Sequence, residues 1–188
     1  MSNLLKIPGL QYVESFIDEA TQAALVHSLD AAEWRDDLQR RVQHYGYRYD
    51  YKARQVDRSM FVGQLPAWAS LVGDSLVAKG FFAAAPDQLI VNEYQPGQGI
   101  SAHVDCVPCF GPVIASLSLL SPCVMEFISR ETKEVVPLVL APRSLVVLTE
   151  AARYQWQHRI PPRKSDDGVK RGRRISLTFR TVILSARG

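Results

Sequence analysis

The chain is poor in cysteine and histidine and has no long apolar run. Three cysteines and four histidines stand in 188 residues. An odd cysteine count with no secretory context argues against a disulfide scaffold and for a reducing, cytosolic setting. Cys106 and Cys109 form one C-x-x-C, readable as half a zinc site or as a redox pair, but no second such pair exists to complete a zinc site. The run Met1–Gly9 has no long apolar core and no small-residue cleavage site, so neither a signal peptide nor a membrane partner is expected. Repeats, low-complexity tracts and long linkers are missing, which excludes repeat arrays and tail-like segments. Strong charge is missing too. The net charge is +3 and the pI about 8.8, short of the roughly >9 of a dedicated nucleic-acid binder. No repeated apolar surface helix stands out, so a monomer is expected.

What is present suits one soluble domain long enough to bury a core without cross-links. Asp18 to Ala32 reads as a helix, with Asp18 as cap and Ala20, Ala24, Leu25 and Leu29 as an apolar stripe. Val42 to Lys52 alternates and is rich in tyrosine, which predicts a strand or hairpin. Pro66 starts a second helix, with Trp68, Leu71, Val72, Leu76 and Val77 apolar and Gly80 at its end. Seven short strand-like runs follow: 89–94, 113–120, 123–128, 134–140, 144–148, 156–160 and 174–184. Many short strands at this spacing predict an antiparallel sandwich or jelly roll, with the helices packed outside.

The chemistry sits in a few residues. His103 and Asp105 are two apart, so on extended backbone they face one way. His158 lies in another predicted strand. Two imidazoles and one carboxylate can hold one face of Fe(II) and leave the opposite positions open. Arg174 and Arg180, six apart on one strand, also share a face. A guanidinium there can take a carboxylate of 2-oxoglutarate as a forked ion pair. Ile175, Leu177 and Phe179 fill the alternate face, so both faces read as buried, and a buried arginine needs an anion. The other basic residues around them, Arg163, Lys164, Lys170, Arg171 and Arg173, read as mostly solvated surface.

The run Asn92-Glu-Tyr94-Gln-Pro-Gly97 continuing to His103-Val-Asp105 resembles the N-x-Y-x-x-G…H-x-D signature of the AlkB family, and Arg174-Ile-Ser-Leu-Thr-Phe-Arg180 resembles its R-x5-R ending. The likeness runs from about His44 to Val182. It implies an Fe(II)/2-oxoglutarate-dependent dioxygenase that oxidises alkyl groups, mostly on nucleobases, with dioxygen as oxidant and Asp105 as a third ligand that favours hydroxylation over halogenation. The implied fold is mainly β with flanking helices around a double-stranded β-helix, a cupin-like jelly roll. The implied division of the single domain 1–188 is helical support and substrate lid over about 1–85 and catalytic core over about 86–188.

By the same resemblance His103, Asp105 and His158 hold the metal. Asn92, Tyr94, Arg174, Ser176 and Arg180 contact the co-substrate, with Arg174 and Tyr94 on its C5 carboxylate and Arg180 and Asn92 near C1. His44-Tyr-Gly-Tyr47 matches a lid segment, which makes Tyr47 the candidate for stacking on a base; cross-strand packing is the other role for this run's tyrosines. Val107 stands where repair members carry an acid that offsets a cationic methylated base, and Arg159 follows His158 where glycine is usual. Four stretches, among them Pro-Arg-Ser-Leu-Val-Val-Leu-Thr and Arg-Tyr-Gln-Trp-Gln-His, look most like animal members that hydroxylate a wobble-uridine modification in tRNA. Those members also carry RNA-binding and methyltransferase domains, neither of which is expected within 188 residues.

The expected activity is therefore oxidation of an alkylated or modified nucleobase, RNA or tRNA before DNA. Lid aromatics and the basic residues Arg40, Arg41, Arg48, Lys52, Arg54 and Arg58 support it. Two other classes stand beside it: the same oxidation on a protein side chain or small metabolite, and a catalytically silent binding module.

Overall fold

The computed structural model describes residues 6–36 and 39–184, so the first five residues of the Met1–Gly9 run lie outside the described residues. Thirteen strands and three helices are named among these. In chain order they are β1 Leu10–Val13, α1 Glu19–Asp30, β2 Val42–Tyr47, β3 Phe61–Gly63, α2 Ala67–Ala78, β4 Gln88–Tyr94, β5 Ile100–His103 and β6 Phe110–Leu120. Then come β7 Cys123–Ser129, β8 Val135–Leu140, β9 Leu145–Leu148, α3 Glu150–Tyr154, β10 Trp156–Ile160, β11 Ser165–Asp166, β12 Val169–Lys170 and β13 Arg174–Val182.

Two antiparallel sheets carry the fold. The large one has the order β1-β9-β6-β13-β4-β2-β3 and the small one β5-β10-β7-β8. The strand-rich half of the sequence builds most of both. The first half adds β1 to one edge of the large sheet and β2 and β3 to the other.

Period-2 alternation decides what each face of the large sheet meets. Leu89 and Val91 of β4, Leu117 and Leu119 of β6, and Ile175, Leu177 and Phe179 of β13 pack in one cluster with Leu25 and Leu29 of α1 and Val72 and Leu76 of α2. The intervening residues face the small sheet, where Ile114, Val146 and Leu148 meet Met125, Phe127, Leu138 and Trp156. β13 is thus covered on both faces, as its continuous burial requires.

The helices are set by their ends. Asp18 accepts from the Thr21 amide at 2.7 Å and caps α1. Gly80, at φ +77°, lets α2 close with Phe81 N donating to Leu76 O and Gly80 N to Val77 O, a Schellman ending. Three expectations need correction. Ala20 and Ala24 are exposed, because α1 meets the sheet along a narrow line that Leu25 and Leu29 fill. Leu71 is 69% exposed on the outer side of α2. The alternating tyrosine run is a strand only to Tyr47; beyond it Asp50 Oδ1 accepts from the amides of Lys52 and Ala53 and turns the chain.

Candidate metal and co-substrate site

The two histidines come together through strand register. β5 and β10 are antiparallel neighbours in which His103 and His158 are direct partners, and the rings lie 4.3 Å apart between centroids. Gly99 allows this approach, since a Cβ there would come within 2.1 Å of Ile160 O. Asp105 follows the end of β5 and points back, with Oδ1 3.4 Å from His103 Nε2 and 3.7 Å from His158 Nε2. One ligand atom from each of the three lies within 4.8 Å of the others.

The protonation states suit a cation. His103 Nδ1 is 2.7 Å from Ser101 O. A carbonyl only accepts, so Nδ1 donates to it and Nε2 is the ring nitrogen that faces the triad. Burial, and then the neighbouring His103, push His158 down to about 3, so its ring is neutral at physiological pH. Burial alone would raise the Asp105 carboxyl, but Arg180 and the two imidazoles outweigh it and hold the group well below the carboxylate range. Two imidazoles and a buried carboxylate, with one ligand atom of each turned to a common point, fit Fe(II).

Arg180 donates through Nε to Asp105 Oδ2 at 2.9 Å and through Nη1 to Gln88 Oε1 at 3.2 Å. It is therefore paired with Asp105 while also lining the cavity. Arg174 is different. It is 2% exposed, its guanidinium lies 5.3 Å over the Tyr94 ring, and it donates from Nη2 to Ser118 Oγ at 2.9 Å. Its Nε and Nη1 are buried without a partner. Two unsatisfied donors on one buried guanidinium are what a carboxylate would complete.

Other expected residues are placed less simply. Asn92 Oδ1 accepts from Arg40 Nε at 2.8 Å. Ser176 Oγ lies 2.9 Å from Ser116 Oγ, inside the large sheet. Between the sheets a cavity of about 550 Å³ is lined by the triad together with Asn92, Tyr94 and Arg180. Arg174 lies behind Tyr94, in the wall of a much smaller pocket of about 10 Å³.

Tyr47 is not in the cavity wall; it packs on Phe61, 5.1 Å between centroids, as a cross-strand pair. Tyr49 and Tyr51, in the turn after β2, line the cavity, stacked edge-on at 5.0 Å. Val107 is 47% exposed and lies outside the wall. Arg159 turns outward to Glu126 at 2.7 Å.

The basic segments are also less free than expected. Arg171 is buried and pairs with Asp166, which also holds Arg163. Glu93 holds Arg41 and Arg173 together. Cys106 and Cys109 are disulfide-bonded, with Cα atoms 5.2 Å apart.

The sequence of residues 9–180 matches the family described as the 2OG-Fe(II) oxygenase superfamily. The chain belongs to that superfamily, whose enzymes work with Fe(II), 2-oxoglutarate and dioxygen. Within it, the chain is of the AlkB type. It is 37% identical to the "Alkylated DNA repair protein ALKBH8 homolog" of Arabidopsis thaliana, over 95% of this chain and 59% of that protein. It is 36% identical to the "tRNA (carboxymethyluridine(34)-5-O)-methyltransferase ALKBH8" of Mus musculus, over 93% of this chain and 30% of that protein. The chain thus spans about three-fifths of the first relative and under a third of the second. A solved structure, "The structure of OsALKBH1", superposes with a TM-score of 0.69 at 18% identity, covering 93% of this chain and 97% of that one, and shows the jelly-roll fold. Among the described residues no helix is long and apolar enough to cross a membrane.

Proposed function

We propose that this oxygenase oxidises an alkyl or alkyl-derived group on a nucleobase, in RNA or tRNA before DNA. One observation carries the reading: the cavity that opens on the triad is walled by the aromatic pair Tyr49 and Tyr51 and by Arg40 and Arg54. A base taken out of its stack needs an aromatic face to stack on and cations near its phosphate. The names of the relatives, DNA repair in one and a tRNA uridine in the other, support nucleic acid as the substrate class.

In this reading His103, Asp105 and His158 hold Fe(II), and Arg174 with Tyr94 receives the far carboxylate of 2-oxoglutarate. Bound there, the metal and co-substrate supply the oxidation of a substrate C–H bond by dioxygen. The protein's own residues do the rest. Asp105 brings the negative charge, and Arg180 keeps it ionised and oriented. Ser101 fixes the His103 tautomer. Tyr49 and Tyr51 take over the stacking role first assigned to Tyr47. Of the described residues, those up to about 85 support and rim the cavity and those from about 86 form the catalytic core. Mass spectrometry of methylated and wobble-modified RNA, tRNA and DNA, incubated with Fe(II) and 2-oxoglutarate, tests the reading. Gain of oxygen or loss of an alkyl group on a base is expected; turnover of 2-oxoglutarate with no change in any nucleic acid contradicts it.

A second reading, the same oxidation on a protein side chain or small metabolite, draws on the internal pairing of Arg41, Arg163, Arg171 and Arg173 with carboxylates. Those cations are then not spare for phosphates. Substrate affinity that falls steeply with salt favours nucleic acid, and a flat salt dependence favours this alternative.

A further inference from the structure

The largest fully buried side chain is a charged one, Arg153 of α3, 2% exposed. Among the described residues no carboxylate accepts a hydrogen bond from it. Its donors fan out over four main-chain carbonyls: Nη1 to Asp105 O at 3.0 Å, Nη2 to Cys106 O and Phe110 O at 3.3 Å each, and Nε to Gly111 O at 3.3 Å. Burying a cation without a contacting anion is costly, so the site must return something for it. What it holds is one loop, 105–111, gripped at both ends by one rigid planar group.

That loop begins at Asp105. Its own closures, Cys109 N and Phe110 N donating to Cys106 O and the disulfide from Cys106 to Cys109, tie the later part to itself. They leave the main chain of Asp105 to Arg153. On its other side, Arg153 lies in a short helix that runs through Gln155 into β10, where His158 stands five residues on. One guanidinium therefore joins the backbone of the carboxylate ligand to the segment that delivers an imidazole ligand.

We propose that Arg153 is a positioning residue for the metal centre: it fixes the separation between Asp105 and the β10 segment, and through it the affinity and ligand geometry of the bound cation. The proposal rests on the reading of His103, Asp105 and His158 as the metal ligands. Arg153 does not line the cavity; it acts through the backbone of Asp105.

The test titrates the metal-free full chain with Co(II), reading the dissociation constant and the visible ligand-field spectrum. Arg153→Lys keeps the charge but loses the planar fan of donors; Arg153→Met keeps length alone. Both are expected to weaken Co(II) binding by roughly 10–100-fold, the usual cost of losing a group that orients a ligand, and to alter the spectrum. Leu117→Ala, in the helix-facing core away from the site, serves as the control. It should lower Tm and leave both readouts at parent values. Co(II) binding within twofold of the parent in both Arg153 variants, whatever their Tm, overturns the proposal.

A measurement on the parent protein covers variants that fail to fold. On titration with Zn(II), the Arg153 Nε–H resonance and the amides of 105–111 should shift together with one dissociation constant. A stationary Arg153 signal overturns the proposal. Asp105→Ala separates the two ideas, since unaltered Co(II) binding in that variant removes the metal reading itself, independently of Arg153.

Discussion

The two faces of the large sheet use the same strands for opposite ends. Toward α1 and α2, the centre of this face is apolar and fully buried: Leu89 and Val91 of β4, Ala115, Leu117 and Leu119 of β6, and Ile175, Leu177 and Phe179 of β13. Toward the small sheet, apolar residues such as Ile90 and Ile114 are interleaved with a polar set, Asn92, Tyr94, Ser116, Ser118, Arg174, Ser176, Thr178 and Arg180, all buried as well. One face gains stability from area removed from water. The other holds buried polar groups, two of them orphaned atoms of Arg174, which is tolerable only where a ligand completes them. Stability and function are thus separated by one residue along the chain.

That separation can be broken from either side. The largest effect falls on the polar side: Asp105→Ala should abolish Co(II) binding and turnover while leaving a folded protein, read by metal titration and circular dichroism. From the apolar side, Phe179→Ala should cost about 3–5 kcal/mol in urea unfolding. The molecules that remain folded should bind metal as the parent does. If metal affinity per folded molecule also collapses, the two faces are not separable.

Smaller effects sharpen the picture. Arg174→Lys loses the forked geometry and should raise the KM for 2-oxoglutarate by roughly 10–100-fold, with metal affinity unchanged. Tyr51→Ala should weaken substrate binding by about 1–3 kcal/mol, whereas Tyr47→Ala, outside the cavity, should leave it as it was. The reverse order would restore Tyr47 to the site. The smallest effect is one of pH. Asp166 sits in the clamp with Arg163 and Arg171, away from the triad; burial raises its carboxyl, but Arg171 and Arg163 outweigh this and bring it down from the ordinary 3.8 to about 2. A folded-state pKa below the unfolded one stabilises fully above about 3.8 and ceases to do so as pH falls through about 2. Asp166→Asn should therefore be less stable than the parent at pH 7, with the gap closing in that acid window, as thermal unfolding across pH would show.

Much of the architecture was readable from alternation and turn residues. The H-x-D pair was legible from its spacing, although Asp105 lies past the end of β5 and turns back toward His103, and the long β13 announced itself by having two buried faces. The pairing of His103 with His158 was a matter of strand register between β5 and β10, which no local pattern encodes. Tyr47 was singled out by the likeness of His44-Tyr-Gly-Tyr47 to a lid segment; that Tyr49 and Tyr51 line the cavity depends on the turn at Asp50, which alternation alone did not mark. Arg153 was invisible for a plainer reason. In a chain with 22 lysines and arginines, a lone arginine beside a tyrosine reads as surface, and only the fold shows four carbonyls converging on it. The ion pairs of Arg171 and Arg173 were hidden likewise, since their acids, Asp166 and the distant Asp30 and Glu93, give no spacing signal.

The most direct test is a crystal structure grown without oxygen in the presence of Mn(II) and 2-oxoglutarate. The expected result is a single anomalous peak within coordinating reach of His103, Asp105 and His158, with the far carboxylate of the co-substrate against Arg174 Nε and Nη1. A metal bound elsewhere, or a co-substrate that leaves Arg174 unpaired, contradicts the account.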